Sequence, residues 1–274
     1  MFATAIQKLT LHWSRKVLTR FTRDASAQDL PLTLMVPLAP KDVARARMSI
    51  PLMQERIAHP VERTVVVAPD HAEIRTLCAE LGLEFVGETE QLEALLGSDY
   101  ELTRGWLRQQ FLKLNACRWL DAEHVLVIDS DTYPLRPTAF TDGARHILYR
   151  GDPNKEPFRK FTQTLLGHLS AQPPNFVAHC MLFHRPWVDE LFAEIEARHD
   201  TSWAKAMFTL TQNPANGMMS EYDIYGCFLA QTRPDAFTQT YYAGIKAPSV
   251  EFLAERPLPA WKHRFRFLSN HERG

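Results

Sequence analysis

The sequence predicts an α/β fold with a mostly parallel central sheet flanked by helices, and three observations predict it. In the stretch His124–Pro137 (HVLVIDSDTYPLRP), Val125, Leu126, Val127 and Ile128 run without alternation. That is how a strand buried on both faces of a parallel sheet reads. Ahead of it, strand-like and helix-like segments alternate as β-α-β-α-β, the order that right-handed crossovers turn into a parallel sheet. Finally, 274 residues, 45% hydrophobic and 23% charged, make an ordinary globular composition with enough apolar material for a sizeable core.

Taken in order, residues 1–23 stand apart. Phe2, Ile6, Leu9, Trp13, Val17 and Phe21 recur at helical spacing, and Lys8, Arg15, Lys16, Arg20 and Arg23 carry positive charge with no acidic residue among them. Such a basic amphipathic helix suits a membrane interface, and equally docking on its own domain or on a second subunit. Asp24–Asp29 reads as a polar linker, so residues 1–29 precede a folded domain over 30–274. Thr33–Leu38 is the first strand; Asp42 after it is either a helix N-cap or a residue facing a ligand at the sheet's edge. Arg63–Ala68 is the second buried strand. Asp70–Leu81 is a helix with Gly82 at its C-cap, and Glu84–Gly87 is a short third strand.

Thr103–Leu120 reads as one helix with Trp106, Phe111, Leu114 and Cys117 on its apolar side, leading directly into the His124 strand. On that helix Gln109, Gln110 and Lys113 are surface residues or face the site, where Lys113 would reach a phosphate. Beyond Pro137 the spacing predicts a strand at His146–Arg150, a helix at Phe158–Leu169, a buried strand at Phe176–Phe183 and a helix at Pro186–Arg198 built on Trp187, Leu191 and Ile195. His179, inside the apolar FVAHCMLF, reads as a hydrogen-bonded core residue in preference to a ligand. Ser220 is a natural N-cap for SEYDIYGCFLA, with Glu221 and Asp223 at the positive end of the helix dipole. The tail from Lys246 shows little periodicity.

Composition excludes several classes. A net charge of −1 gives no field for nucleic acid, so any anion must be met locally. Cys78, Cys117, Cys180 and Cys227 show no CxxC or zinc-knuckle spacing and read as reduced, buried thiols of a cytoplasmic protein. No apolar run reaches the roughly 18–20 residues of a membrane span, and no signal-peptide core is evident.

The buried strand stops on Asp129-Ser130-Asp131. Two carboxylates at the carboxyl end of such a strand lie where open α/β sheets bind ligands, and their burial needs a compensating cation. A divalent metal that itself holds a phosphate is the simplest one. With the βα units before it, the helix GWLRQQFLKLNA leading into it, and SEYDIYG about 90 residues later, this resembles the DxD motif of GT-A nucleotide-sugar glycosyltransferases, in particular a bacterial group associated with surface polysaccharides.

The resemblance covers roughly Leu30–Phe267. It implies a Rossmann-like GT-A domain with a nucleotide-binding half over about residues 30–137 and an acceptor-binding half over about 138–274. It implies Mn²⁺ or Mg²⁺ held by Asp131 and Asp129, with a C-terminal histidine, His263 in preference to His271, as third ligand. Asp42, Asp70, Gln110, Lys113 and Asp129 would bind the nucleotide-sugar, a UDP-sugar first. Glu221, with Asp223, would meet the acceptor, a glycan or lipid-linked sugar, at the inner membrane face. In an inverting enzyme Glu221 would be the general base, and in a retaining one it would only position substrate. Two other readings share these residues: a HAD-type phosphatase with Asp129 as nucleophile, and a GT-A-like domain that binds without turnover. The first places its motif on the first strand and wants a small residue where Tyr133 stands.

Overall fold

A computed structural model describes residues 24–151, 156–167, 175–246 and 265–269. The basic helix over 1–23 and His263 with His271 lie outside the described residues. The chain runs β1 (Leu32–Pro37), α1 (Val43–Arg56), β2 (Val61–Ala68), α2 (Ala72–Leu81), β3 (Glu84–Gly87), α3 (Glu88–Leu96), α4 (Gly105–Leu114), α5 (Ala116–Trp119) and β4 (His124–Ile128). Then follow β5 (Thr132–Pro134), β6 (Thr141–Asp142), β7 (Arg145–Arg150), α6 (Glu156–Leu166), β8 (Cys180–His184), α7 (Arg185–His199), α8 (Trp203–Thr211), α9 (Glu221–Thr232), β9 (Phe237–Tyr241), β10 (Gly244–Lys246) and β11 (Phe267–Ser269).

The central sheet has the order β3-β2-β1-β4-β8. Pairs β3·β2, β2·β1 and β1·β4 are parallel, and β8 closes the edge antiparallel to β4. Strand order reverses between β1 and β4, which makes their carboxyl ends the switch point where this architecture opens a crevice. Two three-stranded sheets flank it, β10-β11-β5 and β6-β7-β9.

Successive side chains of a strand point to opposite faces, so an unbroken apolar run feeds two cores at once. Val125 and Val127 of β4 join Met35, Phe111, Phe183 and Ile195 on the side of α4 and α6–α9. Leu126 and Ile128 join Val36, Ile50, Leu77 and Phe267 on the side of α1 and α2. Gly82 ends α2 in the left-handed region at φ +64°, which the missing Cβ permits without strain. All four cysteines are free and buried, as expected.

Several expectations change. The helix over 103–120 breaks at Asn115, whose φ −89° and ψ 4° cap α4 and start α5. Trp106 sits in the first turn of α4, 46% exposed, with its ring against Phe158 rather than in the core. The linker 24–29 is pinned to the domain: Ala25 N–H donates to the Pro137 carbonyl and Gln28 N–H to the Ala58 carbonyl. His179 lies just outside β8, which starts at Cys180. The tail contributes β11, whose three residues pair with both β10 and β5. A strand that short carries no readable alternation. Among the described residues no helix is long and apolar enough to cross a membrane.

Candidate active site

β4 ends at Ile128 and delivers Asp129 to the switch point. Asp129 N–H donates to the His179 carbonyl at 3.0 Å, continuing the β4–β8 ladder by one rung, and Thr132 N–H donates to the Asp129 carbonyl at 2.9 Å to turn the chain into β5. From below, Ser49 of α1 donates its hydroxyl to the Ser130 carbonyl at 2.6 Å. The DSD backbone is therefore fixed on three sides.

The Asp129 carboxylate is the centre of a polar cluster. Lys113 Nζ of α4 donates to Oδ1 at 2.6 Å, the Tyr222 hydroxyl of α9 donates to the same oxygen at 3.3 Å, and His179 Nδ1 lies 3.1 Å from Oδ2. An ionised carboxylate only accepts, so the His179 proton resides on Nδ1. Lys113 also makes an ion pair of 3.1 Å with Glu221 Oε1, and Glu221 N–H donates to the Gln110 side-chain carbonyl at 3.2 Å. The Lys113 ammonium lies 5.1 Å from the centre of the Tyr222 ring. Thus α4, α9 and the end of β4 meet through one lysine, and the lead into β8 joins them through Asp129.

The charges follow from these contacts. Burial works against ionising Asp129, but the Lys113 charge and the His179 contact outweigh it and hold the carboxyl well below the usual range. Burial also works against the Lys113 ammonium, and Asp129 with Glu221 outweighs it and holds the amine above its ordinary value. Glu221 goes the other way: burial raises it by more than Lys113 lowers it. Two carboxyls on one lysine are driven apart, one firmly ionised and one drawn toward its neutral form.

The sequence-derived residues divide accordingly. Asp129, Lys113, Gln110 and Glu221 come together, and Asp131 stands two residues on, half-buried, with its Oδ1 accepting from Thr132 Oγ1 at 3.2 Å. The cation beside Asp129 is Lys113 itself, so the lysine meant for a phosphate is engaged with protein carboxylates. Asp223 is elsewhere: its oxygens accept from Thr162 Oγ1 at 3.0 Å and Phe176 N–H at 3.3 Å, which ties α9 to α6. Gly226, one turn on, lets the Phe176 ring approach; a Cβ there would stand 2.3 Å from it. Glu221 and Asp223 are both buried at 1% exposure, and their contacts in this structure position α9 and Lys113. Asp42, placed as the N-cap of α1, caps no N–H with its side chain and accepts from Arg45 at 2.6 Å. Ser220 likewise occupies the N-cap of α9 without a side-chain cap bond. Asp70 is at the end of β2, its side chain 71% exposed and paired with Arg75 at 2.5 Å.

The sequence reading has His179 as a hydrogen-bonded residue but does not bring it or Tyr222 to Asp129. For Tyr222 the available signal is the acidic and aromatic cluster SEYD at the start of α9. Nothing local marks His179, because its place depends on β8 pairing antiparallel with β4.

Among solved structures, the apo form of mouse xyloside xylosyltransferase 1 superposes with a TM-score of 0.50 at 13% identity, covering 88% of this chain and 98% of that one. An active-site mutant of LgtC superposes with a TM-score of 0.50 at 12% identity, covering 89% and 88% respectively. The fold is therefore the GT-A fold of glycosyltransferases, as the DSD strand implied. No curated protein matches the sequence. The chain belongs to the family of unknown function DUF6492, whose model matches residues 42–263.

Proposed function

We propose that this chain is a metal-dependent glycosyltransferase moving a sugar from a nucleotide-sugar, a UDP-sugar first, to a glycan or lipid-linked acceptor in surface-polysaccharide synthesis. The observation that carries the reading is the Lys113–Asp129–Glu221 cluster at the switch point of a GT-A fold, with Asp131 two residues beyond it.

The donor chemistry fits a hard divalent ion. Even with Glu221 neutral, the Asp129 and Asp131 carboxylates outnumber Lys113 by one charge, and Mn²⁺ or Mg²⁺ takes oxygen ligands of this kind. Asp131 is the direct ligand, Asp129 the ligand or ribose contact held in place by Lys113, and His263 the third ligand. A bound ion would neutralise charge on the departing nucleoside diphosphate. Lys113 fixes the rotamer of Asp129 and brings a second positive charge to the same crevice. Asp42 and Asp70, at the carboxyl ends of β1 and β2, lie on the nucleotide side. Gln110 and Glu221 hold α9 against α4, so that the acceptor half is registered on the donor half. Residues 1–23 supply a peripheral contact with anionic lipid at the inner membrane face, and their deletion releases the protein from anionic vesicles.

The test is a thermal-shift series with UDP, GDP, CMP and ADP, each with and without Mn²⁺, followed by metal-dependent UDP-sugar hydrolysis. A ligand of the native state raises the melting temperature by mass action. The expected result is a Mn²⁺-dependent rise with UDP that Asp131→Ala abolishes. A rise only with Mg²⁺ and phosphate mimics overturns the reading in favour of a phosphatase.

A further inference from the structure

The opposite end of β4 carries a second cluster that the reaction does not use. His124 opens the strand and is paired in register with His184, the last residue of β8. Their rings stack with centroids 4.6 Å apart and an interplanar angle of 13°. A third imidazole, His146 of β7, has its ring centre 5.7 Å from that of His124 and 5.8 Å from that of His184, and Trp187 closes over His146 and His184 at 4.6 Å each. Glu123 stands beside them with its side chain 71% exposed, and His184 Nε2 lies 3.5 Å from its Oε1. Five residues of strand separate His124 from Asp129, about 17 Å, so this is a different place from the candidate active site.

We propose that Glu123, His124 and His184 form a binding site for a borderline-soft divalent transition metal, of which Zn²⁺ is the type. One ligand atom from each lies within 4.8 Å of the other two. Tetrahedral Zn²⁺ with bonds of about 2.0–2.1 Å separates its ligand atoms by about 3.3 Å, close to the His184–Glu123 distance, and rotation of the His124 and His184 rings out of their stack turns both lone pairs onto the ion. The second observation is the state of the His184 imidazole. No hydrogen bond holds the buried Nδ1 of His184, so nothing on that nitrogen opposes rotation of the ring whose Nε2 faces Glu123. Two imidazoles and one carboxylate select Zn²⁺, Co²⁺, Ni²⁺ or Cu²⁺ over the oxygen-seeking Mg²⁺ and Mn²⁺ of a DxD site. A metal here would bolt β8 to the start of β4.

The experiment uses the full chain stripped with chelator, then titrated with Zn²⁺ by calorimetry and with Co²⁺ by visible absorption. Wild type and Asp131→Ala are both expected to bind and to show the intense spectrum of four-coordinate Co²⁺. Glu123→Ala, a change at an exposed side chain, weakens Zn²⁺ at least about tenfold. The His124→Ala/His184→Ala pair, checked for folding by circular dichroism, abolishes the spectrum. Failure of wild type to bind Zn²⁺, or an unchanged Co²⁺ spectrum in the folded double variant, overturns the site. If the double variant does not fold, unaltered binding by Glu123→Ala overturns it instead. None of these outcomes depends on nucleotide binding or turnover.

Discussion

The two ends of β4 solve the same problem in opposite ways. At the carboxyl end, Asp129 is charged and its charge is matched inside the protein by Lys113 at 2.6 Å. At the amino end, His124 faces His184 and His146, and burial pushes all three toward neutrality, helped by the neighbouring rings at His124 and His146 and opposed by Glu123 at His184, with His146 as far down as about 3. One end is held together by ionisation and the other by its suppression. A buried polar cluster is tolerated by matched charge or by no charge, and each solution fails under a different insult.

Removing the match is the largest break. Lys113→Met leaves Asp129 and Glu221 buried without their cation and is expected to cost about 3–5 kcal/mol in urea unfolding. Next comes Asp131→Ala, which removes a half-buried carboxylate without disturbing the Lys113 pair; turnover and Mn²⁺-dependent nucleotide binding should vanish while stability changes by no more than about 1 kcal/mol.

Acid separates the two ends by pH. His146 has its folded value below the unfolded 6.5, so its contribution is full above 6.5 and is lost as pH falls toward about 3. Asp129 is also depressed, from a lower start, so its contribution disappears only below about pH 4. Glu221 is raised and opposes this, contributing destabilisation that grows as pH rises above its unfolded value. Melting temperature against pH should therefore lose its upper acid limb in His146→Leu and its lower limb in Asp129→Asn. The smallest effect is on neutral-pH stability in His146→Leu, within about 1.5 kcal/mol, because the buried ring already carries no charge.

Much of this architecture was legible in the sequence. The β1–β3 crossovers, the unbroken apolar run of β4, Gly82 and the acidic stop at Asp129 each carry a local signal that matches its place in the sheet. What was not legible depends on pairing between distant segments. His179 reaches Asp129 only because β8 runs antiparallel to β4, and Lys113 meets Asp129 and Glu221 together only because α9 lies across α4. Asp223 illustrates the converse. A carboxylate in the first turn of a helix has the same local signature whether it meets a ligand or, as here, Thr162 and the Phe176 amide. The histidines of the amino end were invisible for a simpler reason: Glu123-His124, His146 and His184 belong to three strands with no shared motif.

The last strand gives the crevice a history. Thr132, one residue after the DSD, hydrogen-bonds Ser269 at 3.0 Å across 137 positions of sequence, and β5 has β11 as its partner along its whole length. During synthesis the sheet through β4 can form while the segment just past Asp131 still waits for its neighbour to leave the ribosome. The domain thus acquires its scaffold early and its working edge last, so a chain cut short before residue 267 would be a folded sheet with an unfinished mouth.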